Sequence, residues 1–441
     1  MIDYLNCIDP IQNFSYLCSQ ISNSNFMDSD RVKVCVNSEI GKLEHVLVHT
    51  PGPELENMTP ETAHDYLYSD ILNLPVAANE HKYFKGVLQK VAKVHEIGDL
   101  LTDILADENV KNSLVDRICH SEDIAFMADH LKSLDAPALS NALIEGVHQE
   151  NVPVTDPHYF TLRPLPNMYF MRDASFTMFD NLMISHMATK VRARETAILE
   201  TIYSTHPLFD GEVICPAKKY GNAEAIMEGG DIHIVRNDIV LSGMSARTNK
   251  NGIAALVEHL KTKPGVKHLI AQQLPLTPES FIHLDMVFTM LNVDRCMAYE
   301  PVIMNPVFQT IHYVIDGEKV TVKEEPNLVV ALNQLGVPVE PIFCGGGGNS
   351  LFPAREQWHS GTNFFCFAPG KFLGYARNRH TIEAINKAGF DVVTAADVVE
   401  GRDSLDNHKK CVVTFIGNEL SRGGGGARCM TMPVQRQAVE W

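Results

Sequence analysis

The chain has 441 residues, of which 45% are hydrophobic, so it is long enough to bury one large core or several smaller ones. Its formal net charge of −17 argues against a nucleic-acid-binding surface but suits a cationic substrate. The ten cysteines show no Cys-x-x-Cys spacing, which predicts reduced thiols in a cytoplasmic protein and no zinc ribbon. We find neither a signal-peptide pattern nor an apolar run of about 18 residues, and predict no secretion and no membrane span.

The first third of the chain changes from strand-like to helical patterning. Residues 1–31 are polar and weakly patterned, and predict an N-terminal arm. β-Branched residues between Val32 and His49 predict a half-buried strand pair. From Glu80 the apolar residues recur at helical spacing, so we predict an all-helical insertion domain over residues 79–155, with one helix beginning at Ser121.

After Pro157 the pattern repeats a strand pair, a turn and a helix. This rhythm predicts an α/β protein in which several ββαβ modules form a ring, with their strand ends facing a shared centre. The catalytic domain would then comprise residues 32–78 and 156–441. The predicted strand pairs cover residues 167–185, 228–245, 283–303 and 363–376, and helices follow at 194–203, 253–260 and 381–388.

A glycine-rich loop near the C-terminus contains the first candidate nucleophile. Four consecutive glycines cannot form a stable helix or strand, but they allow close approach to a ligand. Cys429 follows them, with Arg422 and Arg428 nearby. Because cationic neighbours favour the thiolate, we predict a low thiol pKa and fast alkylation of Cys429.

Three further motifs supply carboxylates and a histidine. They are Arg172-Asp173, the pair Glu228 and Asp231 around two glycines, and His283-Leu-Asp285. Alternation along a predicted strand would place His283 and Asp285 on one face. With Cys429 these residues offer a nucleophile, a general acid/base and an orienting carboxylate. Two spare carboxylates match the planar donors of a guanidinium, which points to attack by sulfur on a guanidino carbon.

The motifs together resemble the arginine deiminase family from about residue 33 to the end of the chain. That resemblance implies the pentein fold, a five-module pseudo-symmetric α/β-propeller with a helical insertion. It also implies hydrolysis of L-arginine to L-citrulline and ammonia through an S-alkylthiouronium on Cys429, with no metal and no organic cofactor. We further predict a cytoplasmic homo-oligomer. The motifs that carry the resemblance are Ser38–Gly41, His49–Gly52, Phe170–Asp173, Glu228–Asp231, His283–Asp285, Arg355–Trp358 and Arg428–Pro433.

The resemblance also implies a role for each site residue. Cys429 would be the nucleophile and His283 the general acid/base. Glu228 would orient His283, and Asp173 and Asp285 would hold the guanidinium. The residues expected to bind the rest of the substrate are Asn167, Arg192 and Arg247 at its α-carboxylate, together with Phe170 and Asp231.

One position departs from the family pattern where it bears on the substrate. The family has an arginine that reaches the substrate α-carboxylate, and this chain has Gly424 there. The lost hydrogen bond is worth roughly 1.5–3 kcal/mol, or one to two decades in affinity. Two alternatives therefore stay open: a sister hydrolase acting on citrulline or another guanidino or ureido compound, and a catalytically poor binding or regulatory relative. The loop Gly345–Ser350 also departs from the family, and the sequence offers no reason for it.

Overall fold

The computed structural model describes residues 31–149, 159–220, 224–348 and 350–441. The predicted arm, apart from Arg31, and the predicted domain boundary at residue 155 lie outside these ranges. The fold is mixed α/β. The helices of more than one turn are Leu74–Val91, Ile97–Leu105, Glu108–Ser121, Ala128–Ser133, Ala136–Glu145, Ala193–Thr205, Lys250–Lys261, Leu328–Gln334, Phe352–Trp358, Arg379–Lys387 and Ala395–Val399, and short helices lie at Pro53–Glu56, Met171–Ala174, Pro216–Lys219 and Glu300–Ile303.

Strands account for most of the remaining regular structure. In chain order they are β1 (Val32–Lys33), β2 (Leu43–Val48), β3 (Lys93–Glu96), β4 (Val147–His148), β5 (Phe160–Leu162), β6 (Ser175–Met178), β7 (Asn181–Ile184), β8 (Phe209–Asp210), β9 (Glu212–Ile214), β10 (Ile232–Arg236), β11 (Ile239–Met244), β12 (Lys267–Gln273), β13 (Phe288–Asn292), β14 (Arg295–Ala298), β15 (Thr310–Asp316), β16 (Lys319–Glu325), β17 (Glu340–Phe343), β18 (Phe365–Ala368), β19 (Lys371–Tyr375), β20 (Asp391–Thr394), β21 (Cys411–Phe415) and β22 (Met432–Arg436).

Five sheets contain the same local unit. Each unit contains two antiparallel strands, and the second of them is followed along the chain by a helix and then by a strand parallel to it. The predicted order of strand pair, turn and helix is confirmed in the four units that follow Pro157. The five strand triplets are β22-β2-β3, β6-β7-β9, β10-β11-β12, β13-β14-β17 and β18-β19-β21.

Burial explains why these sequences form the units. Every residue of β13 is buried, as expected for a strand covered on both faces. The helix Lys250–Lys261 shows one apolar side, on which Ile253, Leu256 and Leu260 are buried. Sheet and helix therefore share an apolar core, and polar side chains collect in the segments that precede the strands.

The N-terminal strands pair differently from the prediction. β1 and β2 do not pair with each other; β1 lies parallel to β8, and β2 lies between β22 and β3. β22 comes from the opposite end of the chain. The pairing of β2 with β22 therefore depends on tertiary structure, which the local sequence pattern cannot predict.

The predicted helical insertion also differs from the structure. Residue 79 falls inside the helix Leu74–Val91, which begins where the Asn73 side chain accepts a hydrogen bond from Val76 N. Lys93–Glu96 forms β3, so this part of the chain is not wholly helical. Ser121 ends a helix instead of beginning one, and Asp107 caps that helix at its start. In the part of the chain that the structure describes, no helix has the length and apolar character needed to span a bilayer.

Candidate active site

The polar residues of the site share one position in the fold. Each of the five units contributes side chains from the few residues that precede its first strand. These are Asp173 before β6, Glu228 and Asp231 before β10, His283 and Asp285 before β13, Asn363 before β18, and Cys429 before β22. All seven residues are at least nine-tenths buried. The repeated unit therefore brings together residues that are up to 256 positions apart, as the pair Asp173 and Cys429 shows.

Cys429 lies with its thiol between an amide and a carboxylate. Its Sγ is 3.1 Å from Asn363 Nδ2 and 3.6 Å from Asp285 Oδ2. Burial raises the pKa of the thiol well above its usual value, and the carboxylates of Asp285 and Asp173 raise it further. In the protein alone the sulfur is therefore held as a thiol.

His283 is held by carboxylates on both ring nitrogens. Its Nε2 is 2.9 Å from Glu228 Oε2, and its Nδ1 is 3.6 Å from Asp173 Oδ1. A Cβ atom at Gly230 would lie 2.5 Å from Nδ1, so a glycine is needed where the ring lies against the backbone. Burial alone would lower the pKa of His283, but Asp173, Glu228 and Asp231 raise it to about 9. At neutral pH the ring is an imidazolium that can donate a proton.

The prediction that His283 and Asp285 share a strand face is wrong. Residues Leu284–Met286 form a single 3₁₀ turn, and the next strand starts only at Phe288. The turn is fixed because Asp231 Oδ1 accepts a hydrogen bond from Leu284 N at 2.8 Å. His283 and Asp285 still reach the same site, but they do so from a turn.

Glu228 bridges the histidine and two other segments. Its Oε1 accepts a hydrogen bond from Ala188 N at 2.9 Å and lies 3.6 Å from Arg247 Nη1, while Oε2 faces His283. Burial would raise the pKa of Glu228, but His283, Arg247 and Arg192 lower it to about 2. The carboxylate therefore stays ionised and can stabilise the positive charge on the ring.

Two buried carboxylate oxygens of the site accept no hydrogen bond from the residues that the structure describes, although one of them, Asp173 Oδ1, lies 3.6 Å from His283 Nδ1. Asp173 Oδ1 and Asp285 Oδ1 have no hydrogen-bond donor among the described residues. The second oxygen of each group is fixed by an arginine: Arg192 Nη1 lies 2.6 Å from Asp173 Oδ2, and Arg428 Nη1 lies 2.9 Å from Asp285 Oδ2. Each aspartate is thus held in place and has one oxygen that can still accept a hydrogen bond, which suits a ligand with several N–H donors.

The predicted substrate-binding residues are largely engaged by the protein itself. Arg192 donates to Glu195, to Asp173 and to the backbone carbonyls of Asn167 and Phe170. Asn167 Nδ2 donates to a backbone carbonyl, that of Tyr66. Arg192 and Asn167 therefore lie next to the site, but these N–H groups donate to protein acceptors and not to an open position in the site.

The other predicted substrate-binding residues are Asp231, Phe170 and Arg247, and they differ in which groups could still contact a substrate. Both oxygens of Asp231 already accept hydrogen bonds, from Ser245 Oγ at 2.7 Å and from Leu284 N. Burial raises its pKa to about 6. The Phe170 ring packs against Tyr169 at a tilt of 35°, with ring centroids 4.1 Å apart. Arg247 is partly exposed, and its closest acidic group is Glu228 at 3.6 Å.

The arginines near Cys429 in sequence pair with carboxylates and carbonyl oxygens and, in the described part of the chain, make no hydrogen bond to its sulfur. Arg422 pairs with Asp70 and Glu419. The buried Arg428 side chain bonds to Glu39, to Asp285 and to the carbonyls of Gly230 and Ile232. The prediction that these two arginines give the thiol a low pKa is therefore wrong for the protein alone, because burial and the aspartates outweigh Arg428.

The pKa of Cys429 is raised where the sequence predicted a lowered one, and an alkylation experiment can test this difference. We expect iodoacetamide to label Cys429 slowly at about pH 7 in protein without arginine, with a rate that rises about tenfold per pH unit and does not level off as the pH is raised to about 9. The reason is that only the thiolate reacts, and burial with two carboxylates disfavours it. Labelling of each cysteine would be followed by peptide mass spectrometry. A rate that is already constant below pH 7 would contradict this account.

Sequence reasoning did not identify Asn363 or the pairing of Glu39 with Arg428. Asn363 stands in an ordinary polar turn, Gly-Thr-Asn, ahead of an aromatic strand. The one signal that could have identified it is positional: it precedes β18 as the other site residues precede their strands. The part of the chain that the structure describes contains no cluster of three or more metal-ligating side chains.

Comparison with known proteins is consistent with this arrangement of residues. The arginine deiminase family model matches residues 64–436. The chain is 34% identical over 422 residues to an arginine deiminase of Listeria innocua, covering 91% of this chain and 98% of the relative. It is 33% identical over 427 residues to an arginine deiminase of Limosilactobacillus reuteri, covering 92% and 98%.

A solved structure adds a likeness of fold. The N-terminal domain of ArgZ, an arginine dihydrolase from Cyanobacteria, superposes with a TM-score of 0.50 at 13% identity, covering 90% of this chain and 98% of that domain. The match to the family spans most of the chain and includes every predicted catalytic position. The chain belongs to the arginine deiminase family.

Proposed function

We propose that this protein hydrolyses L-arginine to L-citrulline and ammonia, with Cys429 as the nucleophile. The observation that carries the proposal is that two buried carboxylate oxygens, Asp173 Oδ1 and Asp285 Oδ1, accept no hydrogen bond within the described ranges, while the other oxygen of Asp285 lies 3.6 Å from the Cys429 sulfur. A guanidinium placed between them would satisfy both acceptors and present its central carbon to the thiol. The relatives named arginine deiminase support the same substrate.

Binding of the substrate would also activate the nucleophile. The Asp173 and Asp285 carboxylates raise the pKa of Cys429, and a guanidinium between them would offset their negative charge. The thiol would then lose its proton to water. Because His283 is already protonated at neutral pH, it is free to act as the acid in the next step.

The chemistry would proceed in two halves. The Cys429 thiolate adds to the guanidino carbon, and the His283 imidazolium protonates one amino group, which leaves as ammonia. This forms the S–C bond, breaks one C–N bond and leaves an S-alkylthiouronium. Neutral His283 then takes a proton from water, and the resulting hydroxide adds to the same carbon. The S–C bond breaks as the new hydroxyl group gives its proton to the sulfur, which releases citrulline and the Cys429 thiol. Glu228 would hold the ring and stabilise its charge in both halves.

For the remaining substrate contacts we assign different tasks to the predicted residues. Arg192 would fix Asp173, and Asp231 would fix the turn after His283, because these are the contacts they make. Arg247 would reach the α-carboxylate, since it is partly exposed and its nearest acidic group lies at 3.6 Å. Asn167 and Phe170 would shape the wall of the pocket around the substrate chain.

We infer that the five units form a ring, the five-module α/β-propeller of the pentein fold. The inference is supported by five strand triplets of one type and by site residues that always precede the first strand. The units would make up the catalytic domain, and the helices between Ile97 and Glu145 the insertion. A cytoplasmic location and a homo-oligomeric assembly stay predictions.

Product analysis tests the proposed function. We expect L-arginine to give citrulline and ammonia in equal amounts, and citrulline or agmatine supplied instead to give little or no product. Turnover of citrulline or agmatine in place of arginine would assign the chain to a sister hydrolase activity. No turnover of any of the three would favour a binding or regulatory protein.

The unusual Gly424 offers a prediction about affinity. A Cβ atom built at Gly424 meets nothing within 4 Å, so an arginine side chain has room there. We expect Gly424→Arg to lower KM for L-arginine about tenfold with little change in kcat, because it restores one charge-assisted hydrogen bond. Steady-state kinetics of citrulline release would measure both constants.

Gly424→Ala is the matched control. The backbone at Gly424 has φ of 85°, which costs any L-residue roughly 1–2 kcal/mol. The alanine variant carries that cost without the guanidinium, so its KM should not fall. An equal KM for the arginine and alanine variants would show that Gly424 does not explain substrate affinity.

A further inference from the structure

The Asn363 side chain holds both the sulfur and the backbone of the nucleophile. Its Nδ2 lies 3.1 Å from Cys429 Sγ and 3.3 Å from the carbonyl oxygen of Asp285. Its Oδ1 accepts hydrogen bonds from Arg428 N at 2.9 Å and from Cys429 N at 3.2 Å. One buried amide therefore connects the nucleophile loop to the turn that carries Asp285.

The two backbone donors fix which end of the amide faces the sulfur. Because Arg428 N and Cys429 N can only donate, the atom that meets them is the oxygen of Asn363. The NH₂ group must then point at Sγ. An N–H donor stabilises a thiolate more than a neutral thiol, since hydrogen bonds to a charged acceptor are stronger.

The fold gives Asn363 the position that the other site residues have. It precedes β18, the first strand of its unit, and the other four units supply Asp173, Glu228, His283 and Cys429 from the corresponding segments. A Cβ atom at Gly426 would lie 2.7 Å from Asn363 Cβ and Oδ1, so the nucleophile loop packs directly against the amide. Asn363 is thus the contribution of the fifth unit to the site.

We propose that Asn363 is a further positioning residue of the reaction, which orients the Cys429 side chain and stabilises its thiolate through Nδ2. The proposal deepens the proposed arginine deiminase function and rests on it for the kinetic part. Its electrostatic part concerns the sulfur alone and can be measured without arginine.

Asn363→Asp tests the donor. The variant keeps the size and both backbone acceptor contacts, but it places an oxygen where the N–H group faces Sγ. We expect the rate of Cys429 alkylation by iodoacetamide, at one pH below the thiol pKa and without arginine, to fall about tenfold. We expect kcat for L-arginine to fall about 100-fold while KM changes less than about threefold, because the guanidinium contacts remain.

Asn378→Asp is the matched control. Asn378 is also buried, and its Nδ2 donates to one carbonyl oxygen, that of His359, outside the site. This variant should alkylate and turn over as the parent does, and a thermal unfolding curve for each variant reports the general effect of a buried carboxyl group. If Asn363→Asp does not fold, Asn363→Ala removes the donor without adding charge and should still slow alkylation several-fold.

The outcomes separate the two proposals. Slower alkylation of a folded Asn363 variant supports the role of the amide, even if the parent protein fails to release citrulline from arginine, which would sink only the proposed function. An alkylation rate equal to that of the parent in a folded variant overturns the proposal. A lower kcat with unchanged alkylation would also overturn it, because Asn363 would then support the loop without acting on the sulfur.

Discussion

Cys429→Ala should lower citrulline release from L-arginine by on the order of 10⁴-fold or more. Without the sulfur no covalent intermediate can form, and no other described cysteine is placed with the site carboxylates and His283. Alanine is smaller than cysteine, so the buried site can accept it with little change in the fold. Citrulline and ammonia would be measured together over a wide range of arginine concentration.

A second cysteine provides the control for this variant. Cys366 is as buried as Cys429, and its Sγ donates to the carbonyl oxygen of Met290 within the core. Cys366→Ala should lose some stability but retain kcat within a few-fold. Comparable turnover by the Cys429→Ala and parent proteins would remove Cys429 from the mechanism.

Glu228→Gln should reduce kcat by about 10²- to 10⁴-fold and move the basic limb of its pH profile to lower pH. His283 has a pKa of about 9, raised by Asp173, Glu228 and Asp231 against the effect of burial. The acid form that protonates the departing ammonia is therefore present below about pH 9 and is lost above it. Removing the charge of Glu228 lowers the pKa of His283, so the loss begins at lower pH.

The chain contains a comparable histidine–glutamate pair outside the site. His312 Nδ1 lies 3.0 Å from Glu325 Oε1 on the β15–β16 hairpin. Glu325→Gln should leave the profile of kcat against pH unchanged. If Glu228→Gln keeps the basic limb near pH 9, another group must set that limb and the assigned pairing with His283 is wrong.

The catalytic residues were predictable because their chemistry is unusual for their surroundings. A histidine and several carboxylates lie within otherwise apolar, glycine-containing segments, where burying them costs free energy unless they have polar partners or a function. A cysteine after a glycine-rich loop adds the nucleophile that such a group of residues would need. The structure brings these residues into contact, with 3.6 Å between Cys429 Sγ and Asp285 Oδ2 and 2.9 Å between His283 and Glu228.

The features that were missed depend on tertiary contacts. Arg428 directly precedes Cys429 in sequence, yet its guanidinium donates to Glu39, which lies 389 residues away. No local sequence pattern predicts where this side chain binds, so the prediction that Arg428 lowers the pKa of the Cys429 thiol was wrong. Similarly, β2 pairs with β22 from the far end of the chain, whereas its position next to β1 in the sequence predicted a pair with β1.

Local conformation accounts for the remaining error at His283. Alternating residues around His283 predicted a strand, but the hydrogen bond from Leu284 N to Asp231 closes a turn there. Asn363 carries no chemical signal of its own, since asparagine in a turn is common. Only the repeated unit, seen in the structure, shows that it precedes its strand as the recognised residues do.

The central claim is that Cys429 forms a covalent bond to the guanidino carbon of arginine. Rapid acid quench of the enzyme during turnover, followed by mass spectrometry of the peptide that contains Cys429, tests it most directly. The account predicts an added mass equal to arginine minus ammonia, present on Cys429 during turnover and gone once arginine is exhausted. Sustained citrulline release with an unmodified Cys429, under quench conditions that preserve a model thiouronium, would contradict it.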